Sequence, residues 1–276
     1  MYFKLLALFL AVPVILFPSD RKKVRSITSF AVQFSGSYSV ESLSTFPLVI
    51  TDPDHMAEND ILSLKRQGGT LLGYINIGEV ETYRRHFQEL DTTLLIKKNP
   101  NWEGHYYVRV NDPQWENFVV ERIAPPILSK GFHGLFLDMV DVASPWLYPE
   151  FEPGIIEIIK RLRKEYPDII IVMNAGTFLA SKVAHDIDAI LVESVFHTYD
   201  FSGKRYLPQT EPAILSRVQE LSALQDSLDL PILTIDYVEP SDTVASYRAA
   251  YASRTFGFIP FISRIALDTL LIQPSP

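Results

Sequence analysis

Two acidic residues each follow directly on a short, wholly apolar run. Asp138 comes after the run GLFL, and Glu193 comes after the run AILV. Such runs are typical of strands buried on both faces, so each carboxyl group is expected at the mouth of a buried strand, partly removed from water. Desolvation raises the pKa of a carboxyl group and suits it to donate a proton near neutral pH.

A pair of such groups can cleave a glycosidic bond. One carboxylic acid protonates the leaving oxygen, and the other carboxylate attacks the anomeric carbon or activates a water molecule. The distance between the two groups separates retention from inversion of configuration, and a sequence does not contain that distance. We therefore predict Asp138 and Glu193 as the catalytic pair and leave the stereochemical course open.

Further polar and aromatic side chains stand at or near the ends of other apolar runs, where a substrate would bind. Aromatic rings stack on the C–H faces of sugars, and carboxylate, amide and phenol groups hydrogen-bond hydroxyl or amino groups. The predicted substrate-binding residues are Tyr74, Glu79, Asp141, Trp146, Asn174, Asp236 and Tyr237. Arg84 and Arg85 are candidates to pair with these carboxylates, whereas the Pro after Asp52 indicates a turn residue there.

Several other chemistries lack the residues that they need. The chain contains no Cys, which excludes disulfides, thiolate metal sites and thiol nucleophiles. Its six His residues show no HxH or HExxH spacing, and GxSxG, P-loop and GxGxxG motifs are absent from the sequence. We predict neither a metal ion nor another cofactor; a carboxylate-bound Ca²⁺ or Mg²⁺ stays open without support from any motif.

The candidate residues require a parallel sheet to carry them. Eight apolar runs alternate with helical stretches: the runs are residues 27–34, 47–50, 70–77, 134–137, 168–173, 189–192, 231–235 and 258–262, and the clearest helices are 57–66, 154–165, 212–224 and 242–255. Eight βα units in about 250 residues predict a single (β/α)₈ TIM barrel over residues 26–276. A doubly wound open α/β sheet is the alternative. Residues 80–115 are predicted to form an elaborated loop at the C-terminal face, with an extra strand at 105–110.

The N-terminus has the pattern of an export signal. Lys4 precedes an apolar run over residues 5–17, and a basic cluster follows at 21–25. The run is shorter than the roughly 20 residues that span a bilayer, and it suits the core of a signal peptide. Residues 1–25 are predicted to be a signal peptide or an N-terminal membrane anchor. The protein would then be secreted, periplasmic or anchored at the cell envelope, with membrane contact only through this segment.

The net charge of the chain indicates which kinds of partner it can bind. Residues 26–276 contain 20 Lys and Arg against 32 Asp and Glu, a net charge of −12. Such a surface repels phosphate backbones, so we predict no nucleic-acid partner. A neutral or cationic ligand is easier to accommodate.

Taken in order along the chain, the motifs at these positions resemble glycoside hydrolase family 114. The resemblance is carried by GYINIGE at 73–79 with Tyr83 and Arg84, GFHGLFLDMVD at 131–141, NAG at 174–176, Val192 with Glu193, and TIDY at 234–237. The family includes endo-α-1,4-polygalactosaminidases, and the hydrolase domain acting on the Pel exopolysaccharide is related. The resemblance implies a (β/α)₈ barrel that cleaves α-1,4-linked galactosamine or N-acetylgalactosamine polymers, with its acid pair at Asp138 and Glu193. Asp236 departs from the family, because relatives often have Glu before the Tyr.

The sequence thus predicts an exported, endo-acting glycoside hydrolase whose partner is an amino-sugar polysaccharide. By analogy with α-retaining barrels, Asp138 is the nucleophile and Glu193 the general acid/base, and exchange of the two roles stays open. An acidic cleft would attract a partly deacetylated, cationic galactosaminan. The alternative functions are a non-catalytic barrel that binds exopolysaccharide at the cell envelope, and a metal-dependent hydrolase or lyase.

Overall fold

Eight short strands of mainly apolar residues form one parallel sheet in the computed structural model, which describes residues 20–274. They are β1 (Ala31–Gln33), β2 (Leu48–Thr51), β3 (Thr70–Asn76), β4 (Gly134–Asp138), β5 (Ile170–Asn174), β6 (Ala189–Glu193), β7 (Ile232–Tyr237) and β8 (Ile259–Ser263). Each strand pairs with the next one along the chain. This unbroken order confirms the predicted barrel and argues against a doubly wound sheet, in which the strand order reverses.

The first and last strands approach each other and nearly close the barrel. The rings of Phe30 and Phe261, which flank or belong to these strands, lie 5.6 Å apart. Just beyond the strands, the Phe34 N–H donates to the Leu267 carbonyl at 2.8 Å. Aromatic packing and loop hydrogen bonds therefore hold the two edges together.

Alternate side chains of the strands fill the barrel interior. Phe34, Tyr74 and Phe136 form a cluster with ring centroids 5.0–6.4 Å apart. Because residues two apart on a strand share a face, Asn76 and Asp138 lie on the same side as Tyr74 and Phe136, one step closer to the strand ends. The interior therefore changes from apolar to polar at the C-terminal mouth.

Helices pack around the sheet. They are α1 (Val40–Leu43), α2 (Glu58–Arg66), α3 (Pro113–Phe118), α4 (Ala124–Ser129), α5 (Glu152–Glu165), α6 (Ala180–Val183), α7 (Glu211–Leu228) and α8 (Thr243–Thr255). The four predicted helices correspond to α2, α5, α7 and α8. The apolar stripe of α5 shows why the pattern was informative, since Ile155, Ile158, Ile159 and Leu162 are all buried.

The helices that the pattern does not predict are short or contain proline. α1 and α6 have four residues each. α3 and α4 are joined by a π-helical turn, Val119–Ile123, and Pro125 and Pro126 follow at the second and third residues of α4. Since proline has no N–H to donate, the ordinary helical hydrogen bonds cannot continue through these two positions.

Two insertions leave the C-terminal end of the barrel. The β3 insertion, residues 79–108, contains an antiparallel sheet of Glu79–Glu81, Leu95–Lys98 and His105–Val108. It confirms the predicted extra strand. The β6 hairpin, residues 197–208, pairs His197–Asp200 with Arg205–Pro208. The sequence pattern does not predict this hairpin, because its residues are half-buried or exposed and lack an apolar alternation.

The first described residues pack against the barrel. Asp20–Ser26 forms a 3₁₀ helix in which Val24 is fully buried, and Arg21 Nε donates to Asp188 Oδ1 at 2.8 Å. The signal peptide or anchor predicted over residues 1–25 falls mostly on residues 1–19, outside the described residues, and stays a prediction. Within residues 20–274, every helix is too short or too polar to cross a membrane.

Candidate active site

Asp138 and Glu193 lie together at the mouth of the barrel, joined by one amide group. Asn174 Nδ2 donates to Asp138 Oδ1 at 2.9 Å and to Glu193 Oε1 at 2.8 Å. An amide nitrogen carries two hydrogens, so a single side chain can serve both acceptors. The distance between Asp138 Oδ1 and Glu193 Oε1 therefore cannot exceed the sum of these two hydrogen-bond distances.

The outer oxygen of each carboxyl group is held by a tyrosine. Tyr74 Oη donates to Asp138 Oδ2 at 2.9 Å, and Tyr237 Oη donates to Glu193 Oε2 at 2.5 Å. Each acid thus uses both of its oxygens, one toward Asn174 and one toward a phenol. Both acids stay partly exposed, so a ligand can reach them. The structure brings five of the nine predicted site residues into one hydrogen-bonded group.

Strand register and backbone conformation place this group. Asp138, Asn174 and Glu193 are the last residues of β4, β5 and β6. The residue after each of them, Met139, Ala175 and Ser194, has φ of 58°, 57° and 59°, respectively. This left-handed conformation is uncommon for residues other than glycine and tends to occur at functional sites. The left-handed residue ends each strand, so that the site residue is the last one in the strand.

The surroundings of Glu193 favour its protonated form. Burial raises the pKa of Glu193 above its usual value, against the hydrogen bond from Tyr237, and the charge of Asp138 adds to the rise. Burial also raises the pKa of Tyr74 and Tyr237 well above the ordinary value of a phenol. The two tyrosines therefore stay protonated and act as hydrogen-bond donors.

Asp141 is a third carboxyl group near the pair. Burial raises its pKa to about 6, and the charges of Asp138 and Glu193 contribute to the rise. Its side chain is partly exposed, three residues beyond the end of β4. Trp146 lies on the same loop and is 79% exposed. The predicted substrate contacts of these two residues stay predictions.

The structure does not support direct substrate contact by Glu79. Its side chain is fully buried, with Oε1 accepting from Asn99 Nδ2 at 2.6 Å and Oε2 lying 3.1 Å from His105 Nδ1. Both partners belong to the β3 insertion. Glu79 therefore fixes this insertion to the end of β3.

Asp236 also has a different position from the one predicted. It is completely buried, and its Oδ1 accepts from the backbone N–H groups of Phe196 and His197 at 2.6 and 2.8 Å. Side chains alternate along a strand, so Tyr237 at the mouth puts Asp236 on the opposite face of β7. Asp236 therefore holds the base of the β6 hairpin.

Asp52, which the sequence marks as a turn residue, binds the buried Arg84. Arg84 Nη1 and Nη2 donate to Asp52 Oδ1 and Oδ2 at 2.7 and 2.8 Å, while Asp52 Oδ1 also caps the turn through the Asp54 N–H. The Arg84 guanidinium lies 5.6 Å from the centre of the Tyr74 ring. The pair ties the β3 insertion to the loop after β2, beside the site. Arg85, the other predicted partner, is exposed.

Comparison with known proteins identifies the family. A model of glycoside-hydrolase family GH114 matches residues 17–275. The chain belongs to this family. Its membership confirms the resemblance inferred from the ordered motifs. It also supports hydrolysis of glycosidic bonds as the chemistry of the protein.

Two solved structures share the fold of this GH114 chain, and a relative matches its sequence. The glycoside hydrolase domain of PelA from Pseudomonas aeruginosa superposes with a TM-score of 0.80 at 22% identity, over 90% of this chain and 98% of that domain. Ega3 of Aspergillus fumigatus, solved in complex with galactosamine, has a TM-score of 0.71 at 14% identity, covering 90% and 95%. A protein of unknown function from Deinococcus radiodurans is 25% identical over 93% of this chain and 86% of its own.

Residues that could bind a metal ion do not cluster in the part of the chain that the structure describes. Over residues 20–274, there is no group of three or more His, Asp or Glu side chains arranged to hold one. The carboxyl groups at the mouth are instead bound by amide and phenol donors.

Proposed function

We propose that the protein is an endo-acting glycoside hydrolase that cleaves α-1,4-linked galactosamine or N-acetylgalactosamine polymers with retention of configuration. The observation that carries this proposal is the Asn174 bridge between Asp138 and Glu193. Retaining glycosidases place their carboxyl groups about 5–5.5 Å apart, and inverting enzymes about 6.5–9.5 Å apart. Two acids that share one nitrogen at 2.9 and 2.8 Å fit the shorter spacing.

The electrostatics favour Glu193 as the general acid/base and Asp138 as the nucleophile. With its pKa raised by burial, Glu193 protonates the glycosidic oxygen. As the bond from C1 to that oxygen breaks, the Asp138 carboxylate forms a covalent ester with C1. Glu193, now ionised, takes a proton from water, whose oxygen attacks C1 and releases Asp138. The second step restores both residues to their starting protonation states.

The amino-sugar substrate is supported by similarity and by charge. The similar Ega3 structure contains galactosamine, and the PelA domain has the same fold. An amino sugar bears a cationic group when it is not acetylated. Asp141, beside the catalytic pair, is the acidic side chain best placed to attract such a group. A polymeric substrate outside the cell also agrees with the export proposed for the N-terminal segment.

Substitution of the two acids tests the proposal. We expect Glu193→Gln to lower turnover of defined α-1,4-galactosaminan oligomers by about 10²–10⁴-fold, because the general acid is lost. Asp138→Asn should lower it at least as much, because no covalent ester can form. Product masses and the anomer released first, by NMR, are the measurements.

The exposed residues Asp226 and Glu157 on α7 and α5 provide matched controls. Asp226→Asn and Glu157→Gln make the same chemical changes far from the mouth and should leave turnover unchanged. Added azide should restore cleavage of an activated aryl glycoside by Glu193→Gln, but should not restore the retaining reaction of Asp138→Asn. Oligomer binding without products from the unaltered protein would contradict hydrolysis and support the binding barrel instead.

A further inference from the structure

The β3 insertion and the β6 hairpin are rooted in different halves of the barrel mouth. The β3 insertion contacts the loop after β2 through Arg84 and Asp52, and the loop after β4 through the Tyr107 and Tyr148 rings, 5.7 Å apart. The β6 hairpin contacts β7 through Asp236. It also reaches the loop after β8, where Tyr206 Oη accepts from the Ile265 N–H at 3.3 Å. The roots of the two insertions, where they leave the barrel, therefore face each other across the mouth.

The tips of the two insertions meet through aromatic side chains. The rings of Trp102 and Phe201 lie 5.8 Å apart at 81°, an edge-to-face contact. Trp102 also lies 6.4 Å from the His105 ring, and Phe201 lies 5.2 Å from the Tyr199 ring. A continuous row of rings thus joins one root to the other. The strands that carry Asp138 and Glu193 end between these roots.

Hydrogen bonds hold each tip in shape. Asn99, which begins the turn that carries Trp102, is held by the buried Glu79 carboxylate at 2.6 Å. In the hairpin, Asp200 Oδ1 accepts from the N–H groups of Ser202 and Gly203 at 3.0 and 3.1 Å. The two turns are therefore held in defined conformations. Their aromatic contact is a defined feature of the mouth.

Both rings keep a free surface. Trp102 is 44% exposed and Phe201 is 46% exposed, although each contacts the other. Exposed aromatic faces are the surfaces on which sugar rings stack. A single edge-to-face contact adds only a little attraction beyond the burial of its area. Such a contact can hold a closed arrangement and still open during turnover.

We propose that Trp102 and Phe201 form an aromatic bridge over the catalytic carboxyl groups, beneath which a single unbranched polysaccharide chain is bound. Short oligomers and chain ends thread beneath the closed bridge. Internal segments of a long chain enter only when the Trp102–Phe201 contact opens. The inference rests on the proposed hydrolysis of galactosaminan.

Cross-linking of the two tips tests the bridge, and the Cys-free chain gives a clean background. Trp102→Cys with Phe201→Cys places one thiol on each tip, and a short bis-maleimide then joins them. We expect the cross-link to form in most molecules without substrate. Cross-linking should slow the fall in viscosity of long galactosaminan by about tenfold or more, while hydrolysis of hexamers by the same protein changes by less than about twofold.

Two controls separate the bridge from general effects. The same double variant treated with a monofunctional maleimide carries the modification on both thiols without joining the tips, and should lower the viscosity about tenfold or more faster than its cross-linked form. Tyr247→Cys with Tyr251→Cys replaces another exposed aromatic pair, 6.1 Å apart on α8, and its cross-link should affect neither substrate.

The outcomes distinguish this inference from the proposed function. Thiols that fail to cross-link, or a cross-linked enzyme that lowers viscosity as fast as its unlinked control, would overturn the bridge. Equal loss of hexamer and polymer hydrolysis would also overturn it, because the cross-link would then impair the enzyme whatever the length of the substrate. Failure of the unaltered protein to cleave galactosaminan would instead overturn the proposed function, while the cross-linking yield still tests the meeting of the tips.

Discussion

Asn174 gives the proposed catalytic pair its geometry because its amide nitrogen donates to Asp138 and Glu193 at once. Its carbonyl oxygen is buried and has no hydrogen-bond partner among the described residues. An unsatisfied buried acceptor costs roughly 1–3 kcal/mol. The reverse orientation of the amide would set its oxygen against the Asp138 carboxylate, which would repel it. The position therefore gives up stability in exchange for a fixed spacing between Asp138 and Glu193.

Tyr237→Phe is expected to shift the pH dependence of the enzyme. The hydrogen bond from Tyr237 stabilises the ionised form of Glu193 and opposes the rise in its pKa. Its removal should raise the pKa of Glu193 further, so the general acid stays protonated to higher pH. The alkaline limb of the kcat/KM profile should move upward, and kcat should fall because the acid is less well held.

Tyr74→Phe is the matched control, because Tyr74 makes the equivalent bond to Asp138 and none to Glu193. Its alkaline limb should move less than that of Tyr237→Phe. An unchanged or lowered alkaline limb in Tyr237→Phe would show that Glu193 is not the acid that this limb reports.

Single residues differ in how far the sequence predicts them. Asp138 and Glu193 are predictable because each ends a wholly apolar run. Tyr237 and Asp236 are neighbours, and alternation along a strand allows only one of them to face the mouth. The position of Glu79 depends on Asn99 and His105, which lie 20 and 26 residues away. No local pattern contains that contact.

Among the structural elements, the β3 insertion depends on a buried ion pair. Arg84→Ala would leave Asp52 without its bidentate partner. It would also leave the buried Glu81 without the guanidinium, whose Nη2 lies 3.8 Å from Glu81 Oε1. Breaking a buried pair in this way costs about 3–5 kcal/mol. We expect faster amide hydrogen exchange across residues 79–108 before the barrel itself loosens, together with a lower Tm.

Arg122→Ala provides the control for Arg84→Ala. Arg122 pairs with Glu89, but both side chains are more than half exposed, so the pair is expected to contribute at most about 1 kcal/mol. Equal effects of the two substitutions would contradict the anchoring role of Arg84.

The β6 hairpin depends on a buried acid whose effect on stability changes with pH. Burial raises the pKa of Asp236 to about 6 from an ordinary value of 3.8. The folded protein then binds this proton more tightly than the unfolded chain. The contribution of Asp236 is therefore complete below about pH 4 and is lost as the pH rises to about 6, a change of about 3 kcal/mol.

Asp236→Asn keeps the Oδ1 acceptor and removes the buried charge. We expect the unfolding free energy of the variant, relative to the unaltered protein, to increase between pH 4 and pH 7. Urea denaturation at the two pH values measures it, with Asp226→Asn as the control for an exposed charge. A difference that does not change with pH would show that Asp236 does not titrate in this range.

The helices and strands could be predicted from the sequence where their apolar side chains are buried in the barrel. The stripe of α5 follows from its helical periodicity, and the strands follow from their continuous apolar runs. The β6 hairpin escapes such reasoning, since the sequences HTYD and RYLP are held by contacts with β7 and the loop after β8. Its partners are some 40 to 60 residues away along the chain.

For the molecule as a whole, the acidic balance makes a prediction about salt. With a net charge of −12 over residues 26–276, the surface should attract a partly deacetylated galactosaminan and leave the N-acetylated polymer unaffected. Added NaCl should raise KM for the cationic polymer, because a Debye length of about 8 Å at 0.15 M screens the attraction. Steady-state kinetics on both polymers checks this, and equal salt effects would contradict it.

The overall barrel was the most predictable feature. Eight apolar runs in order leave few ways to bury both faces of every strand, and the observed sheet follows that order. The closure between Phe30 and Phe261 and the meeting of Trp102 with Phe201 join distant parts of the chain. Only the folded chain brings these pairs together.

Met139, Ala175 and Ser194 limit how the mouth can be redesigned. Each has a left-handed backbone conformation and directly follows Asp138, Asn174 or Glu193 in the sequence. Valine, isoleucine and threonine are poorly tolerated there, whereas glycine and asparagine fit. A library of variants selected for folding should therefore lose β-branched residues at these three sites. New specificities would then have to come from the surrounding loops.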